Sequence, residues 1–134
     1  MNKIRISANS DNLYKVLEFI DEELEKAQCS LKVKRQMDIA VEEIFVNIAY
    51  YAYCPGVGDV TIEAEVNNNE LTVIFTDSGK KFNPLEKEDP DVSLSCEERK
   101  VGGLGVYIVK DSMDEMTYEY KHNHNVLKLK KTLS

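Results

Sequence analysis

The run DVTIEAEVNNNELTVIFTD, Asp59 to Asp77, leaves few folds open to this chain. Its first half puts Val60, Ile62, Ala64 and Val66 on one face, the period of two that marks a half-buried strand. Asn67, Asn68 and Asn69 supply turn chemistry, and ELTVIFTD returns as a more fully apolar strand. A lone hairpin is marginal in water, so this face needs a second layer. The segments before it can supply one. KIRIS (Lys3 to Ser7) alternates as a short strand, and Ser10 and Asp11 offer N-caps for a first helix. Leu13, Val16, Leu17, Ile20, Leu24 and Ala27 follow in steps of three and four, with Asp21, Glu22, Glu23 and Glu25 on the remaining faces. A second helix is predicted from about Val33 to Tyr53, with Met37, Val41, Ile44 and Ile48 pointing inward and Pro55, Gly56 and Gly58 ending it.

After Asp77 the periodicity stops. Lys80 to Val101 carries Pro84, Pro90, many charges and no sustained repeat, the composition of a lid or binding loop. Order resumes at GGLGVYIVKDSMDE, where glycines lead into an apolar helix. EMTYEYKH and NVLKLKKT, joined through Asn123, then read as a last hairpin. The predicted order is strand, two helices, two strands, lid, helix, two strands. That order gives an α+β two-layer sandwich with a mixed, mostly antiparallel sheet and helices on one face. At 134 residues, 43% of them hydrophobic and 31% charged, the whole chain, residues 1–134, is expected to be one domain.

Charge and cysteine content narrow the function classes. A net charge of -7 argues against an electrostatic nucleic-acid binder. Cys29, Cys54 and Cys96 are widely spaced and form no CxxC pair, so three free thiols in a reducing cytoplasm are expected. No apolar run approaches the roughly 20 residues that cross a bilayer, and the N-terminus lacks the apolar core of a signal peptide. The chain therefore reads as cytoplasmic and unanchored.

Three short segments carry chemistry. In VEEIFVNIAYYAY, Glu43 and Asn47 stand four apart on one helical stripe, although asparagine is a poor helix former. In TDSGKKF, Asp77 ends a strand and Gly79 follows two residues later. A carboxylate there can accept from an exocyclic amine, and a missing side chain lets a flat ring approach the backbone. In VGGLGVYIV, Gly102, Gly103 and Gly105 precede a helix and leave its backbone N–H groups open to anionic phosphates. No GK[ST] follows, so this is not a Walker loop. Taken singly, the three read as a solvated helix face, an Asp-Ser-Gly turn and a glycine hinge.

Their order is more specific. An E-x-x-x-N helix, a strand ending D-x-G, a long lid and a G-x-G helix start resemble the nucleotide-binding domain of the GHKL ATPase superfamily. Within it, Asp77 to Pro84 and Gly102 to Tyr120 are similar to the small anti-sigma-factor serine/threonine kinases, and the resemblance covers nearly the full length. It implies a Bergerat fold and ATP and Mg2+ as ligands. It also implies a kinase that phosphorylates an anti-anti-sigma factor and sequesters a sigma factor, and it points to a homodimer. By the same resemblance, Asn47 would ligate Mg2+ and Glu43 would be the general base. Asp77 would accept the adenine amino group, Gly79 would admit the ring, and Gly102, Gly103, Leu104 and Gly105 would wrap the phosphates. Glu42 sits about 100° around the helix from Glu43 and lacks the four-residue match to Asn47.

The chain also departs from the pattern. Tyr51 stands where members often carry His, and Val101, preceded by Arg99 and Lys100, stands where kinase members often carry Arg. These departures bear on phosphoryl transfer more than on ATP binding. They leave open an ATP-gated partner-binding regulator without transfer, and a plain scaffold. Elsewhere, His122 and His124 read as a solvated hairpin turn. Tyr50, Tyr51 and Tyr53 read as packing, and Lys128, Lys130 and Lys131 as the wet face of an edge strand.

Overall fold

The computed structural model describes residues 1–53, 56–83 and 109–134. Strand β1 (Asn2–Ser7) leads through a short 3₁₀ turn (Ser10–Asn12) into helix α1 (Leu13–Ala27). Helix α2 (Leu31–Asn47) runs straight into a π-helical turn (Ile48–Ala52). Strands β2 (Asp59–Asn67), β3 (Glu70–Asp77), β4 (Glu115–Lys121) and β5 (His124–Thr132) follow, with one further helical turn at 109–112. The described strands form one antiparallel sheet in the order β1-β2-β3-β5-β4.

The expected α+β layering is present. Val60, Ile62 and Ala64 of β2, and Leu71, Val73 and Phe75 of β3, are buried against the helices, as the period of two requires. From the other layer come Val16, Ile20 and Leu24 of α1 and Met37, Val41, Ile44 and Phe45 of α2. Asn68 and Asn69 turn the first hairpin with φ of 55° and 66°. His122 and Asn123 do the same for the last, at 52° and 63°. Paired left-handed residues match the twist of the strands they join.

Element boundaries differ from the sequence reading for local reasons. Asn9, not Ser10 or Asp11, caps the first turn by accepting from Asp11 N at 2.8 Å, and α1 begins only at Leu13. Ser30 Oγ accepts from Val33 N at 3.2 Å, so α2 starts at Leu31. The second helix reaches Ala52, but it leaves α geometry after Asn47. Cys29 is a free, half-buried thiol; Cys54 and Cys96 lie outside the described residues. No helix among the described residues is long and apolar enough to cross a membrane.

One pair of like charges sits between the helices. Asp38 of α2 meets Asp21 of α1, and Lys34 Nζ lies 3.6 Å from Asp21 Oδ2. Burial first, then the hydrogen bond and charge of Asp21, push Asp38 from its ordinary 3.8 up to about 7; Glu42 adds to this and Lys34 opposes it. Between those two values the folded chain holds a proton that the unfolded chain has released. Stability therefore falls as pH rises through that interval. Asp38→Asn removes the charge and keeps the shape. Thermal melts should show the variant above wild type at pH 8, with the difference closing towards pH 4. A constant difference across that range would contradict the assignment.

Candidate nucleotide site

The inward alternation of β3 does not end with an apolar residue. Asp77 continues the series Leu71, Val73, Phe75 and is itself 4% exposed. A carboxylate in that position needs partners. Its Oδ1 accepts from Gly79 N and from Asn125 Nδ2, both at 2.9 Å. Asn125 faces Asp77 across the β3–β5 pairing and is 5% exposed. Its second amide hydrogen goes to Lys80 O at 2.9 Å, and its Oδ1 accepts from Phe82 N at 3.1 Å and from the Tyr118 hydroxyl. Burial pushes the Asp77 carboxyl above the ordinary carboxylate value, while the Asn125 bond, the Gly79 bond and the charge of His124 pull it back.

Asn47 approaches from the helical layer. It is 4% exposed, and its Nδ2 donates to Glu43 O at 2.9 Å, the back-bond that a polar side chain makes within a helix. That bond fixes the amide. Its Oδ1 is buried without a hydrogen-bond partner among the described residues. The π turn begins at the next residue and carries the chain to Ala52. There Ala52 O accepts from Lys80 N at 2.8 Å. Tyr53 secures the same junction, its hydroxyl donating to Asp59 O at 2.6 Å and accepting from Ser78 N at 2.8 Å.

A cavity lies between these layers. Ile44, Asn47, Ile48 and Ala52 line it from the helix, and Phe75, Asp77, Asn125 and Leu127 from the sheet; Phe82 and Tyr118 complete the wall. An apolar wall with a few convergent polar groups is the usual make-up of a small-molecule site.

The structure thus brings Asn47 and Asp77 into one cavity. Glu43 is half-buried one turn before Asn47 and does not line that cavity. Burial, then the charge of Glu42, raises its carboxyl above the ordinary value. Glu42 is exposed. At Gly79 the missing Cβ points at the helix junction, where an added carbon would stand 2.2 Å from Ala52 O. Close approach of the Ala52 backbone therefore demands glycine there before any ligand is considered. Tyr51 stacks on Phe82 with ring centroids 5.5 Å apart. Gly102, Gly103, Leu104 and Gly105 lie outside the described residues, as do Arg99, Lys100 and Val101. Asn125 was missed by the sequence reading, although a signal exists: it occupies the inward alternation of Leu127 and Leu129, where a polar residue is out of place.

The model of the histidine kinase-like ATPase domain matches residues 6–131, and the chain belongs to that family. Among curated proteins it is similar to the serine-protein kinase RsbW of Bacillus thuringiensis, at 32% identity over 98 residues. That match covers 70% of this chain and 61% of the relative, and the RsbW proteins of Bacillus cereus match to the same extent. The match therefore spans about three fifths of those relatives' length. Among solved structures, the catalytic domain of histidine kinase ThkA superposes with a TM-score of 0.55 at 16% identity, covering 99% of both chains. The Erythrobacter litoralis EL346 blue-light activated histidine kinase gives 0.57 at 16% identity over 79% of this chain and 32% of that one. Both share the fold.

Gly79→Ala tests the packing at the junction. The new carbon would meet backbone, not a flexible side chain end, so the helix end or the β3 exit must shift. Overpacking of this kind costs about 1–3 kcal/mol. The variant should melt several degrees below wild type in calorimetry, and an unchanged melting temperature would show that the junction is looser than the structure has it.

Proposed function

We propose that this domain binds Mg-ATP in the cavity between α2 and the sheet and transfers the γ-phosphoryl group to a serine or threonine of a small protein partner. The observation that carries the proposal is the pairing of Asp77 and Asn47 in one cavity. Among the described residues, both donors to Asp77 fall on Oδ1, which leaves Oδ2 to accept from an exocyclic amine such as that of adenine. Asn47 supplies a buried oxygen with no donor on it among the described residues, which fits a hard cation that takes oxygen ligands and keeps several waters. When bound, Mg2+ would neutralise phosphate charge. The apolar wall would sit against the ring, and Gly79, which closes the turn onto Ala52, would admit it only as the family resemblance implies. Gly102, Gly103, Leu104 and Gly105 would offer backbone N–H groups to the phosphates, as the family resemblance implies.

Glu43 is the proposed general base. Its carboxylate would take the proton from the partner's hydroxyl as that oxygen bonds to the γ-phosphorus and ADP departs. A base works best with a pKa near the operating pH, and burial moves Glu43 in that direction. The curated relatives are named serine-protein kinases, which supports the acceptor class. By the resemblance, the partner is an anti-anti-sigma factor and this protein also sequesters a sigma factor, acting as a cytoplasmic homodimer. The Tyr51–Phe82 stack favours a second reading, because an apolar pair occupies a position where members often place a histidine. Under it, ATP gates partner binding and no phosphate moves.

Four variants separate these roles. Asp77→Asn should weaken ATP binding in calorimetry, since an amide sets a donor against the adenine donor. Asn47→Ala should lose both binding and transfer. Glu43→Gln should keep ATP affinity while labelled phosphate transfer drops by about 10²–10⁴-fold, and Glu42→Gln should be nearly silent, since its charge is the lesser cause of the Glu43 shift. Transfer by Glu43→Gln at the wild-type rate would remove it as the base. A wild-type domain that binds ATP but transfers nothing to its partner would make the gated regulator the correct reading.

A further inference from the structure

Asn125 uses its entire hydrogen-bonding capacity inside the protein. Both amide hydrogens and both lone pairs are taken, by Asp77 Oδ1, Lys80 O, Phe82 N and the Tyr118 hydroxyl. This set also fixes which way the amide faces. Turned over, its oxygen would confront the acceptors on Asp77 and Lys80, and its NH2 group would confront the Phe82 N–H. The donor aimed at Asp77 is therefore not interchangeable, and nothing of Asn125 remains to offer a ligand.

We propose that Asn125 is a positioning residue that sets the purine choice of this cavity: by donating to Oδ1 of Asp77 it keeps that side chain an acceptor, so Oδ2 takes a 6-amino purine and rejects a 6-oxo purine. The proposal rests on the cavity being an adenine site, as put forward above, and adds what makes it selective. A buried carboxyl favours its neutral form, and a neutral Asp77 would present an O–H donor. Such a donor matches the carbonyl of a 6-oxo purine and wastes the amino group of adenine. Donors on Oδ1 oppose that change. The bond from Asn125 is the first of the groups holding Asp77 down, followed by Gly79 N–H and the charge of His124 on β5. Gly79 contributes backbone, and His124 acts at longer range; Asn125 is the side chain whose chemistry decides the outcome.

Val and Thr share one shape and differ by a hydroxyl, so Asn125→Val and Asn125→Thr separate the hydrogen bond from the packing, with His124 unchanged in both. Affinities for Mg-ATP and Mg-ITP, which differ in the 6-amino and 6-oxo groups, are measured across pH by calorimetry. Wild type should prefer ATP by about tenfold or more, the discrimination one hydrogen bond to a charged group provides. Asn125→Val should lose that preference, and its ATP affinity should fail at a higher pH than wild type. Asn125→Thr, which keeps a donor, should retain most of the preference. The proposal is overturned if folded Asn125→Val keeps the wild-type ratio and pH profile, or if Thr behaves as Val does. Wild type alone also tests it: the ATP-over-ITP ratio should shrink as pH falls through the Asp77 titration, and a flat ratio contradicts the proposal. Equal wild-type affinity for the two nucleotides at neutral pH would instead overturn the adenine site itself.

Discussion

A carboxylate buried at the end of a central strand is the constraint around which the rest of this domain is arranged. Asp77 lies in the hydrophobic layer, where an unpaired charge is expensive. The strand order places β5 beside β3, and Asn125 stands opposite Asp77 in that pairing. The chain then turns at once so that Gly79 N–H also reaches the same oxygen. The turn brings Lys80 and Phe82 back onto Asn125, which ties the exit of β3 to β5 and, through Tyr118, to β4. Buried polar groups connected this fully stiffen their surroundings and specify one arrangement.

The helical layer answers with a change of geometry. Helix α2 carries Asn47 inward as its last residue, and the π turn follows immediately. Turns of this kind are rare and concentrate at functional sites. Here the extra width delivers Ala52 to the β3 exit, where its carbonyl takes Lys80 N and its backbone excludes any side chain at position 79. The cavity therefore has two walls held by one junction. Movement of the helix end would disturb Asn47 and the Asp77 turn together, so both halves of the proposed nucleotide contact depend on the same few backbone atoms.

Much of this was legible in the sequence. The alternation through Val60–Ala64 and Leu71–Phe75, the stripes of α1 and α2 and the asparagine turn follow directly from local periods, and all appear where those periods put them. Asn47 was visible as a polar residue set into an apolar helix, and Asp77 as a carboxylate ending a strand two residues before a glycine. What escaped depends on contacts distant in sequence. Asn125 acquires its meaning only from lying opposite Asp77, which the strand order decides. Gly79 is glycine because of Ala52, and the π turn is invisible because Ile48 and Ala52 satisfy a continuous helical pattern equally well. The helix caps moved for a smaller reason, a competition among Asn9, Ser10 and Asp11 that residue type alone does not resolve.

In the proposed complex, one cavity takes the base at Asp77 and the metal-bound phosphates at Asn47. Two-dimensional NMR of the side-chain amides of Asn47 and Asn125 reads both contacts at once, during titration with ATP, first without and then with Mg2+. The base should perturb the Asn125 amide through Asp77 in both titrations, whereas the Asn47 amide should move strongly only once Mg2+ is present. If neither amide responds at saturating Mg-ATP, or if Asn47 shifts as far without the metal, the account of this cavity is contradicted.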